Sequence, residues 1–154
     1  HTITSPRGVA IRERQDIVYR DMGGATPAAS AKAPPPPPVA KHRESHVSDP
    51  VLLFRYSALT FNGHRIHYDR SYVTGVEGYP GLIVHGPLIA TLLLDLLRRQ
   101  LPDARVQRFS FKAVRPTFDI HPFTVCGKRD GNTVTLWGRD HEGWLTMQGT
   151  AEIE

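Results

Sequence analysis

Between Leu59 and Asp69 the chain reads LTFNGHRIHYD, with Asn62, His64, His67 and Asp69 set inside an otherwise aliphatic and aromatic stretch. An imidazole is the side chain best suited to move a proton near neutral pH, so His67 is a candidate general acid–base. Asn62 takes no proton, but it can hold a water or orient the imidazole. The competing reading is a polar turn whose side chains satisfy backbone groups. His64 and His67 offer two metal ligands without a third at a plausible spacing, so no metal is expected.

A second stretch, EGYPGLIVHGP from Glu77 to Pro87, leads into a leucine-rich run. The first N–H groups of a buried helix lack partners and sit at the positive end of its dipole, where a carbonyl oxygen gaining negative charge is stabilised. Gly86 leaves room for a substrate to approach that backbone. His85 lines the same site or caps the turn, and the plain alternative is that Gly86 and Pro87 only start a helix. His121 and His141, each beside a turn, read as solvated or structural.

These groups need a frame. LIVHGPLIATLLLDLLRRQLP is read as a largely buried helix, with Gly86 at the N-cap, Pro87 first, Arg98 and Arg99 in the last turn and Pro102 as the stop. Leu88, Ile89, Leu92, Leu93, Leu96 and Leu97 cover more than one face. VLLFRYSAL is read as a strand or buried turn, and Asp69 as the cap of a short helix through Tyr72. From Arg105 onward RVQRFSFKAV alternates, Asp130-Gly131 marks a hairpin, and a second turn at Asp140 to Gly143 precedes GWLTMQGTAEIE. One buried helix followed by about four antiparallel strands predicts an α+β domain, a curved antiparallel sheet wrapped around one long central helix, which is the outline of a hot-dog fold.

The 154 residues, 40% hydrophobic, suffice for one such core. Residues 50–154 are assigned to it. Residues 22–49, with APPPPPVA from Ala33, read as an Ala/Pro-rich disordered linker. Residues 1–21, in which 8–20 mix β-branched and polar residues, read as remnant strands of a preceding domain, and a start at His1 fits a truncated chain. No run approaches the roughly 18 apolar residues of a membrane span, and no signal peptide is visible. The single cysteine, Cys126, fits a reducing compartment, so a cytoplasmic protein without a membrane partner is expected. The net charge of +4 suits a phosphorylated ligand, while Lys and Arg are too scattered for a nucleic-acid footprint.

FRYSALTFNGHRIHYD and EGYPGLIVHGP, followed by a leucine-rich helix, resemble the MaoC-like dehydratase and hydratase superfamily. The pattern is most similar to its two-hot-dog branch, which includes mesaconyl-CoA and itaconyl-CoA hydratase-type enzymes and the fungal mitochondrial 3-hydroxyacyl-thioester dehydratase. Members carry a degenerate hot-dog, a Pro/Ala-rich linker and a catalytic hot-dog. The broader motif, Asp-x-Asn-Pro-(Leu/Ile)-His, places Ile66 and His67 on its final pair, Arg65 on its Pro, His64 on its Asn and Asn62 on its Asp. The resemblance thus implies that His67 does most of the acid–base work while Asn62 fixes the water.

The expected activity is hydration of a 2-enoyl-CoA, or dehydration of a 3-hydroxyacyl thioester, with Asn62, His67 and Gly86 catalytic. His64, His85, Tyr79, Arg115 and Lys112 are expected to contact substrate, the last two at the phosphates of coenzyme A. No cofactor is expected beyond the coenzyme A of the substrate. The partner is a second copy in a homodimer or a missing N-terminal hot-dog half. A hot-dog thioesterase needs a poised carboxylate, for which Asp69 is the only acid inside the motif. A non-catalytic acyl-CoA-binding module is the remaining alternative.

Overall fold

A computed structural model describes residues 1–17 and 39–154. In chain order these form strands β1 (Thr2–Ser5), β2 (Gly8–Arg12) and β3 (His42–His46), helix α1 (Pro50–Leu59), a 3-10 turn (Arg65–His67) and the short helix α2 (Arg70–Gly75). The long helix α3 (Gly86–Gln100) follows, then β4 (Val106–Ala113), β5 (Phe123–Asp130), β6 (Thr133–Arg139) and β7 (Leu145–Ile153). Strands β3 to β7 make one antiparallel sheet in the order β3-β5-β6-β7-β4.

The core is the contact between α3 and one face of this sheet. Leu88, Ile89, Leu93, Leu96 and Leu97 pack with Phe123, Val125, Val134, Leu136, Met147, Ala151 and Ile153. Each of the larger of these side chains contributes about 1.5–3 kcal/mol on leaving water, which is why the leucine run dominates the fold. At Gly127 a Cβ would stand 3.2 Å from Leu136 Cδ2 and 3.7 Å from Leu96 Cδ2, so a bare backbone lets helix and sheet approach. The other face buries Cys126 against Trp137 and Leu145. This is the expected helix-in-sheet architecture.

Three expectations change. VLLFRYSAL is helical: Asp49 caps it by accepting from the Leu52 N–H at 2.9 Å, and Pro50 sits in its first turn, where a missing N–H costs nothing. Its apolar residues hid this, because Val51, Leu52, Phe54 and Leu59 are exposed and only Leu53 and Ser57 are buried, so no amphipathic period marks the helix. The assigned linker ends early, since His42–His46 pairs with β5; five polar residues on an edge strand carry no hydrophobic signal. Its proline block lies outside the described residues. Finally, His85 and not Gly86 is the N-cap of α3, with backbone φ −59° and ψ 130° and its carbonyl accepting from Ile89 at 3.1 Å.

Other expectations stand. Gly131 (φ 58°) turns β5 into β6, and Asp140 closes the next turn by accepting from the Glu142 and Trp144 N–H groups. Strands β1 and β2 form a separate hairpin with every residue exposed. Both strands fall within the 1–21 segment read as strand, and β2 within its 8–20 stretch of mixed β-branched and polar residues.

Candidate functional site

His67 closes the 3-10 turn, and its setting is built from local hydrogen bonds. Asp69 caps α2 through the Tyr72 N–H (3.0 Å) and takes Arg65 on its other oxygen (2.8 Å), while the Arg65 guanidinium lies 4.1 Å over the Tyr72 ring. The Ile83 N–H donates to the Ile66 carbonyl at 3.0 Å, and the Ile83 carbonyl accepts from His67 Nδ1 at 2.7 Å. A carbonyl oxygen only accepts, so Nδ1 carries the proton of the neutral ring and Nε2 keeps a lone pair. Burial pushes the His67 pKa below its ordinary 6.5, the Ile83 carbonyl opposes this, and nearby His64 adds to it. The ring is therefore neutral and basic at Nε2 near pH 7.

Asn62 is delivered by the end of α1. The Phe61 and Asn62 N–H groups donate to the Ala58 and Ser57 carbonyls, with Phe61 between them in the left-handed region at φ 53°. The Asn62 Oδ1 accepts the His64 N–H at 3.0 Å, so the end it leaves for a ligand is the NH2 group, a donor. His64 is exposed, its ring edge-on to His67 at 5.7 Å.

Of the two readings of His85, the structure has the residue capping the turn into α3, with its ring closed off from the surface. It is 1% exposed, gives Nε2 to the Ser57 hydroxyl at 2.8 Å, and stacks on His67 with ring centroids 3.8 Å apart and an 18° tilt. A ring this buried offers no edge to a substrate. Burial, and then the charge of His67, pushes its pKa down to about 4. Gly86 follows directly, so the first N–H of α3 starts beside this stack. A Cβ at Gly86 would meet only Met147 Cε at 3.8 Å, an ordinary contact, so the fold itself does not require glycine there.

The remaining candidates lie apart. Tyr79 packs against the core and faces Phe118 at 6.0 Å. Arg115 stands 3.9 Å from Asp140 and lines a depression of about 170 Å³ with Pro80, Phe118 and the His121–His141 pair, whose rings stack at 3.7 Å. Lys112 pairs with Gln148 and so points away from the α3 side, where Ala113 and Met147 face; it lines a depression of about 470 Å³ with Trp137. Neither depression includes His67. Among the described residues, no group of three or more His, Cys, Asp and Glu is placed to hold a metal. Sequence reading missed Ser57 and the Ile83 carbonyl: a serine in a helix and a backbone oxygen carry no pattern.

Asp69 has both oxygens engaged, by backbone and by Arg65, which hold its pKa below the usual carboxylate value. No helix among the described residues is long and apolar enough to cross a membrane.

Known proteins share both sequence and fold. A mesaconyl-C(4)-CoA hydratase of Chloroflexus aurantiacus is 45% identical over 145 residues, 94% of this chain and 51% of that protein. A mitochondrial hydroxyacyl-thioester dehydratase type 2 of Schizosaccharomyces pombe is 37% identical over 101 residues, 64% of this chain and 33% of that protein. The chain thus spans about half the length of the first relative and about a third of the second. Among solved structures, the (R)-hydratase of A. caviae superposes with TM-score 0.66 at 24% identity, covering 73% of this chain and 92% of that one. A MaoC-like dehydratase from Phytophthora capsici covers 99% of this chain and 56% of its own, with TM-score 0.65 at 17% identity. These superpositions establish the hot-dog fold. The profile of the hydroxyacyl-thioester dehydratase type 2 family matches residues 1–119, and the chain belongs to that family.

Proposed function

We propose that this chain carries the proton-transfer site of an acyl-thioester hydratase or dehydratase acting on a 2-enoyl-CoA or the corresponding 3-hydroxyacyl thioester. One observation carries the reading: the Nδ1–H of His67 is spent on Ile83, so a neutral imidazole presents Nε2 as a base beside the start of α3. In hydration, Nε2 takes a proton from water as the water oxygen bonds to Cβ of the enoyl group. The electron pair of the double bond moves toward the thioester carbonyl, whose developing charge is met by the Gly86 N–H and the α3 dipole. The imidazolium then returns the proton to Cα, and dehydration is the reverse. With one base handling both transfers, addition falls on a single face of the double bond.

Asn62 donates from its NH2 group to the water oxygen and leaves that water's proton directed at His67. A thioesterase is disfavoured by Asp69, whose oxygens are both occupied by the turn it holds together. The site is read as completed by a second hot-dog, either another copy of this chain or a first half such as its longer relatives have room for. Phe54, Leu59 and Phe61 by α1, and Phe111 on edge strand β4, leave apolar surface for that contact. Coenzyme A phosphates would reach Arg115 or Lys112 across such an interface.

Loss of enoyl-thioester absorbance with short and dicarboxylic enoyl-CoA substrates tests this. Activity that collapses in His67→Ala and Asn62→Ala, with circular dichroism unchanged, supports the hydratase. A protein that is dimeric by size-exclusion mass yet inactive on every substrate leaves a non-catalytic binding module.

A further inference from the structure

We infer that His85, tethered by Ser57, is a positioning residue that holds the His67 ring in the one orientation that commits Nδ1 to Ile83 and leaves Nε2 open. This rests on the acid–base reading of His67. The χ2 torsion of histidine is broad, so one hydrogen bond does not by itself fix the plane of an imidazole. The second restraint here is a flat surface. His85 lies against His67 at 3.8 Å with an 18° tilt, and a ring that turned about χ2 would collide with it.

His85 is in turn held at both ends. Its backbone is the N-cap of α3, and its tip reaches Ser57 on α1 at 2.8 Å, with the Tyr56 ring 4.8 Å away. Ser57 joins the two halves of the site. Its hydroxyl meets His85, and its carbonyl accepts the Asn62 N–H at 2.9 Å, so the base and the amide are referred to the same residue.

Stability alone does not account for an imidazole here. No protein group among the described residues pairs with His85 Nδ1, and burying an unpaired polar nitrogen costs stability that a phenyl ring would spare. What a phenyl ring lacks is the Ser57 tether. The core therefore keeps a group whose one hydrogen bond locks its ring face against His67.

The test compares Ser57→Ala, His85→Phe and His85→Ala with the unaltered protein by NMR of the imidazole nitrogens and by enoyl-CoA kinetics. Ser57→Ala deletes one buried hydroxyl oxygen and is the variant least disturbing to the fold. The expected result is a His67 that no longer reports a single Nδ1–H form, with kcat down about ten- to a hundredfold and KM within about twofold, because a small misplacement of a catalytic group is felt in the chemical step. His85→Phe, which keeps the stack, is expected to retain more activity than His85→Ala. A His67 that stays locked as the Nδ1–H form in Ser57→Ala and His85→Ala overturns the inference whether or not the protein is active. A His67 freed in those variants, in a protein without hydratase activity, supports the positioning role and removes the hydratase reading instead.

Discussion

His67 Nδ1 and the Ile83 carbonyl oxygen lie 2.7 Å apart, and this contact puts the proton of the neutral ring on Nδ1 and the lone pair on Nε2. Because burial lowers the His67 pKa below 6.5, the neutral ring persists to mildly acidic pH. For hydration, kcat/KM is therefore expected to rise through an acid limb centred below 6.5 and to be level by pH 7. His67→Ala is expected to lower kcat by about 10²–10⁴-fold, the usual weight of a positioned acid–base group. A limb centred above 6.5 in the unaltered protein would argue for a different base.

His64 stands edge-on to His67 at 5.7 Å and, when protonated, makes it harder to charge the neighbouring ring. His64→Gln removes that repulsion. The His67 pKa should rise and the acid limb should move to higher pH. Since His64 is exposed, the difference should shrink as salt is raised. An unchanged limb at low salt would detach His64 from the site.

Gly86→Ala separates the backbone's role from the fold's. The added methyl meets only a flexible methionine end at 3.8 Å, and alanine in a first helical turn is no worse than glycine for stability. The melting temperature should hold while kcat/KM falls, if a thioester must come up against this N–H. Full activity in the variant would remove close backbone approach from the mechanism.

How much of this was legible in the sequence depended on whether a residue's role lay in its type or in its neighbours. The α3 run was readable because burial repeats along it, and Asp69 because capping needs a short acceptor at one position. Helix α1 was not, since Val51, Leu52, Phe54 and Leu59 face outward and its identity lies in Asp49-Pro50. Asn62 and His67 stood out as polar groups in an apolar stretch. His85 drew notice through the adjoining glycine, but its pairing with Ser57 bridges 28 positions of the chain, a contact that no local pattern encodes.

The buried pair also has a consequence for stability. His85 is held near a pKa of about 4 in the folded chain, against an ordinary 6.5 when unfolded. Between these values the unfolded state binds more protons than the native one, so unfolding becomes easier as pH falls through the window. The contribution is fully present above about pH 6.5 and is lost progressively toward pH 4, with a ceiling of roughly 3 kcal/mol from a shift of this size. His67, lowered in the same direction, adds to it. In His85→Phe the group cannot titrate, while the cost of leaving the Ser57 hydroxyl unpaired is the same at every pH. The variant should thus be relatively more stable at pH 5 than at pH 8 when both proteins are unfolded by urea. Parallel stability curves for the two proteins across that range would mean that His85 is not held neutral by the fold.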